Sequence, residues 1–139
     1  MGYDPHNVFA QILRGTLPCI PVYEDAETLA FMDIMPEAEG HVLVIPKEAA
    51  QTLFDLSEES AQACIRTTRL VGGAVKRALG KPGIYIAQLN GAAAGQTVAH
   101  CHFHIVPCAP DAPRRPHASV RADDEQLHRV AARIRACLP

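Results

Sequence analysis

Apolar positions along the chain follow two spacings, and the switches between them mark out its elements. Val8, Phe9, Ile12 and Leu13 have helical spacing, with Asp4-Pro5 and Asn7 as caps and Gly15 behind, which predicts a short helix stopping near Arg14. After Pro18 and Pro21, three strands are expected at Val22 to Glu24, Thr28 to Ile34 and His41 to Ile45, separated by the polar turn at Asp25 to Glu27 and by Pro36 to Gly40. Pro46 should end the third. From Ser57 or Glu58 to Leu79 the period returns to a helical one, closed by Gly80, and predicts the longest helix. Ile84 to Leu89 reads as a strand, Asn90 to Gln96 as a small-residue loop, and Val98 to Val106 as a strand broken by Pro107. Pro110, Pro113 and Pro116 make an extended linker. Asp123, Asp124 and Glu125 then open a terminal amphipathic helix, acidic at its positive end.

Composition narrows the partners. A chain of 139 residues is one ordinary domain, and a net charge of −2 gives no field for holding a nucleic-acid polymer or an anionic membrane. The five cysteines are odd in number, spread out and without a C-x-x-C pair, which argues against a disulfide framework or zinc knuckle and favours the reducing cytoplasm. Met1 to Asn7 has no charged start followed by an apolar run, and no apolar stretch approaches about 18 residues, so neither export nor membrane insertion is expected.

The chemistry concentrates at His100-Cys101-His102-Phe103-His104-Ile105-Val106. On a strand, alternate residues share a face at about 6.5 to 7 Å spacing, which aligns three imidazoles while Cys101, Phe103 and Ile105 face the other way. Imidazole titrates near neutrality, so one ring can serve as base or nucleophile while its neighbour donates a proton. Packing alone is a poor explanation, because three such rings bring six nitrogens that must be hydrogen-bonded or solvated. Immediately upstream, Asn90 to Thr97 contains nothing bulky before Gln96, as a backbone needs if its amides are to approach an anion. Loop and histidines together read as an anion site with its own attacking group.

The same residues resemble the histidine triad (HIT) family, whose H-x-H-x-H signature followed by apolar residues is His100 to Val106. Supporting segments are Val8 to Gly15, Val22 to Asp25, Leu29 to Ile34, Gly40 to Lys47 and Gly91 to Val98. The resemblance implies an α+β, HIT-like fold: an antiparallel sheet of about five strands packed against the long helix, with two subunits joining into one larger sheet. Residues 1–110 would form the HIT domain and 111–139 a proline-rich linker and C-terminal helix packed on it.

It also implies a purine nucleotide substrate, attacked at the α-phosphate through a nucleotidyl-histidine intermediate without a cofactor. His102 would be the nucleophile and His104 a contact to the α-phosphate or leaving group, while His100 and His41 fix the ring tautomers. Asp33 would accept from the ribose hydroxyls. Val8, Phe9, Ile12, Phe31 and Ile34 would wall the base pocket, and Gln96 with Thr97 would hold the phosphate.

Three departures from the family pattern stand out. Asn7-Val8-Phe9-Ala10 occupies the stretch where many bacterial members carry C-x-x-C for a structural zinc, so no metal is expected. Leu89 stands where members commonly have asparagine, and a substrate-facing amide would pass to Asn90. The chain also continues about thirty residues past the histidine strand. Two other readings remain open: a nucleotide-binding sensor or partner protein with little turnover, and a metal-dependent enzyme using alternate histidines as ligands. His6, His117 and His128 fit no pattern and receive no role.

Overall fold

The computed structural model describes residues 2–116 and 119–139; His117 lies outside them. Three helices, α1 (Val8–Arg14), α2 (Glu58–Leu79) and α3 (Asp124–Ala136), accompany strands β1 (Pro21–Glu24), β2 (Thr28–Met32), β3 (Val42–Pro46), β4 (Gly83–Gln88) and β5 (Phe103–Cys108). The strands form one antiparallel sheet in the order β1-β2-β3-β5-β4.

Each helix starts where a side-chain oxygen takes up an otherwise unpaired amide: Asn7 accepts from the Ala10 N–H, Ser57 from Ser60 and Asp123 from Gln126. Gly15 and Gly80 close α1 and α2 in the left-handed region, at φ of 80° and 61°.

Alternation along the strands sorts side chains between two layers. Ala30, Met32, Val42, Val44, Phe103 and Ile105 meet α2 and α3 in the main core, which also takes in Cys101. Leu29, Phe31, Leu43 and Ile45 point the opposite way and gather with Phe9 of α1 in a second, smaller cluster. His104 pairs with Leu43 across β3 and β5, which puts its ring on this second face. Leu127, Val130, Ala131 and Ile134 of α3 are buried in the same core as Val71 and Val75 of α2. The terminal helix is therefore part of one core.

Three strand boundaries differ from the pattern's prediction by more than one residue. β5 begins at Phe103 instead of Val98, because the Cys101 N–H turns aside to the Ala50 carbonyl at 2.8 Å. It also runs through Pro107 to Cys108: the ladder to β3 has ended at Ile105, and a residue without an N–H is tolerated where only β4 remains. β2 stops at Met32, and Asp33 opens a turn by accepting the Met35 N–H at 2.8 Å. Among the described residues, no helix is long and apolar enough to cross a membrane.

Candidate active site

A cavity of about 450 Å³ opens on the second face of the sheet, between α1, the end of β2 and the segment leading into β5. Val8, Phe9 and Ile12 wall it from α1, and Phe31, Asp33 and Ile34 from β2 and its turn. Thr97, His102 and His104 complete it from the opposite side. Leu17, Pro18, Cys19 and Met35 also line it, and the sequence pattern had not singled them out.

Buried imidazoles must have their nitrogens satisfied, and the partners determine where each proton sits. His102 Nδ1 lies 2.7 Å from the His100 carbonyl. A carbonyl can only accept, so Nδ1 carries the hydrogen, and in the neutral ring the lone pair is then on Nε2. His41 Nδ1 lies 3.0 Å from the Glu37 amide nitrogen, which can only donate. His41 is therefore neutral with its hydrogen on Nε2, 3.0 Å from His104 Nδ1. Accepting that hydrogen leaves His104 with its own N–H on Nε2. The chain of bonds thus gives two adjacent rings opposite tautomers, one with a lone pair on Nε2 and one with a donor there. Their centroids are 5.0 Å apart, and Phe9 and His102 meet edge to face at the same centroid distance.

His100 is buried away from the cavity, with Nε2 donating to the Pro46 carbonyl at 2.8 Å and Nδ1 2.6 Å from the Tyr3 hydroxyl. Burial holds its pKa below the usual histidine value, against the opposing pull of the Pro46 carbonyl. Asp33 is also buried; its Oδ2 lies 3.5 Å from His41 Nε2. Cys19 is the other potential nucleophile on the wall, but burial and then Glu24 push its thiol pKa up, away from the reactive thiolate.

Two predicted substrate-binding residues sit elsewhere. Asn90 does not line the cavity: its Oδ1 accepts from the Leu53 N–H and Gln88 at 2.8 Å each, and its Nδ2 donates to Gln88 Oε1 at 2.8 Å. Gln96 braces its own loop, accepting the Gly91 N–H at 2.7 Å and donating to the Gln51 and Val98 carbonyls at 2.7 and 2.9 Å. The amides of Ala94, Gly95 and Gln96 also close back on loop carbonyls. The loop is a self-bonded turn instead of an open amide cradle, and only Thr97 and Val98 reach the cavity from it. The sequence pattern missed Tyr3 and Glu37. Tyr3 is a lone aromatic ahead of α1, and Glu37 sets the His41 tautomer through its main chain, which leaves no side-chain signature.

Among the described residues, Asp33, His41 and His104 offer ligand atoms within 4.8 Å of one another, a grouping able to hold a metal ion. The hydrogen bonding opposes it. A neutral imidazole that coordinates through Nε2 keeps its hydrogen on Nδ1, and on His41 the Glu37 N–H already points at that atom.

Comparison with known proteins identifies the family. The HIT domain profile matches residues 14–111. A crystal structure of a Hit-like protein involved in cell-cycle regulation from Bartonella henselae superimposes with a TM-score of 0.95 at 41% identity, covering 99% of this chain and 100% of that one. Adenosine 5'-monophosphoramidase hnt1 of Schizosaccharomyces pombe is 44% identical over 100 residues, 72% of each chain. Adenylylsulfatase HINT3 of Arabidopsis thaliana is 38% identical over 100 residues, 72% of this chain and 51% of that protein. The chain belongs to the histidine triad (HIT) family.

Proposed function

We propose that the protein is a nucleotide hydrolase or nucleotidyl transferase that cleaves a purine nucleoside phosphoramidate or polyphosphate at its α-phosphate. The observation that carries this reading is the pair of oppositely configured rings, His102 and His104, on the wall of a cavity that also presents Asp33. The names of the phosphoramidase and adenylylsulfatase relatives support an adenylyl compound as substrate.

The base enters between Val8, Phe9, Ile12, Phe31 and Ile34, and the ribose hydroxyls donate to Asp33. Nε2 of His102 attacks phosphorus in line. An N–P bond forms, and the bond to the leaving group breaks with its electron pair, the leaving atom taking up a proton from the medium. The ring becomes cationic as this happens. Its Nδ1–H is already 2.7 Å from the His100 carbonyl, and that hydrogen bond strengthens as the charge develops. His104 Nε2–H and Thr97 donate to the phosphoryl oxygens, fixed dipoles of the kind that stabilise developing charge. Water then cleaves the N–P bond, its hydroxyl going to phosphorus and its proton to the medium. The cationic imidazole is a good leaving group, and the enzyme returns unchanged.

Two copies join along β4, the outer strand beside β5, whose Tyr85 and Ile86 side chains are exposed.

A panel of adenosine phosphoramidates, adenylyl sulfate and dinucleoside polyphosphates tests the chemistry. Turnover is expected for at least one class, and His102→Ala should abolish it while leaving AMP binding and the fold intact. Unchanged turnover in that variant would refute the reading.

A further inference from the structure

We propose that Tyr3 is a positioning residue for the nucleophile, an inference that rests on the role given to His102 under the proposed function. Tyr3 lies before α1 and outside the matched stretch 14–111, yet it reaches across to the histidine row. Its hydroxyl is 2.6 Å from His100 Nδ1, and the two rings meet edge to face with centroids 5.6 Å apart.

The direction of that bond follows from the other side of the ring. The Pro46 carbonyl can only accept, so His100 carries its hydrogen on Nε2. Burial disfavours a second proton, which leaves Nδ1 as an acceptor and Tyr3 as its donor. His100 is fully buried, so Tyr3 supplies the partner that the ring would otherwise obtain from water.

His100 in turn holds the nucleophile through its main chain, since its carbonyl receives the His102 Nδ1–H at 2.7 Å. A ring clamped at both nitrogens fixes the residue that carries this carbonyl. Without the Tyr3 hydroxyl, the His100 ring is left with a buried, unpartnered acceptor and an incentive to rotate. The carbonyl direction that selects the His102 tautomer then loosens. Phe9 ties the same region to the base pocket, lying 6.3 Å from the His100 ring and 5.0 Å from His102, centroid to centroid. The Asn7 carboxamide and main-chain N–H both donate to the Asp4 carbonyl, at 2.7 and 3.3 Å, and so fold the segment between Tyr3 and the start of α1 into a turn.

Tyr3→Phe removes the donor and keeps the ring. The expected result is a fall in kcat on the order of tenfold, as for a slightly misplaced reacting group, with KM within about twofold of the parent. Nitrogen-15 spectra of the imidazoles should show His102 mainly as the Nδ1–H form in the parent and as a mixture in Tyr3→Phe. An unchanged kcat, a loss confined to KM, or unaltered His102 ring signals would each overturn the assignment and leave Tyr3 a packing residue. If the parent turns over no substrate in the panel, the proposed activity fails, and the ring spectra alone decide the role of Tyr3.

Discussion

Leaving one nitrogen of a buried imidazole unmet would cost about 1 to 3 kcal/mol, and among the described residues four imidazoles are buried: His41, His100, His102 and His104. The main chain meets much of that cost, through the Glu37 amide and the carbonyls of Pro46 and His100. The alternation of histidines was plain in the sequence because it depends only on residue identity and a two-residue period. The partners were not, since any residue supplies a carbonyl or an amide. The buried, neutral state of His100 has a consequence for stability. Its folded pKa lies below the unfolded value of about 6.5, so under acid conditions the unfolded chain takes up a proton that the native ring refuses. This contribution to stability is fully present above about pH 6.5 and declines below it, by up to about 1.4 kcal/mol per pH unit, until the folded pKa is reached. Urea unfolding should therefore give a lower free energy at about pH 5.5 than at about pH 7.5; equal values would contradict a neutral buried His100.

At the scale of elements, the helices were the most legible because caps and period agree: Asn7, Ser57 and Gly80 bound α1 and α2 where the pattern placed them. Strand ends were less so. Where β5 starts depends on the Cys101 N–H leaving the ladder for Ala50, a tertiary bond that no local pattern encodes. Composition misled most at residues 90–97, because small residues suit both an anion cradle and a tight turn. The deciding contacts, from Gln96 to Gly91, Gln51 and Val98, appear only in three dimensions. Gly40 shows a similar dependence. It takes φ of 92° just before His41, and a Cβ there would lie 2.9 Å from Leu79 and 3.2 Å from Pro107. β4 is an outer strand of the sheet. If copies pair along it, light scattering should give a dimer at micromolar concentration and Ile86→Lys should give a monomer. A parent chain that is monomeric would remove the shared sheet from the account.

Across the whole molecule, segments from both ends of the chain converge on the histidines that the sheet presents. Tyr3 bonds His100 from the N-terminal side. From the C-terminal side, the Arg115 N–H donates to the Glu37 carbonyl at 2.6 Å and Arg114 pairs with the Glu37 carboxylate at 3.2 Å, holding the loop whose amide sets His41. The central segment was readable because its motif and alternation lie in one stretch. These terminal clamps were not, because their partners lie 97 and 77 residues away in sequence. The claim on which the mechanism rests is that His102 bonds to phosphorus. Quenching the protein during turnover of an adenosine phosphoramidate, digesting it under alkaline conditions and measuring peptide masses tests this directly. The account predicts one acid-labile AMP group on the peptide containing His102 and none in His102→Ala. Turnover without any adduct, or an adduct on another residue, would contradict it.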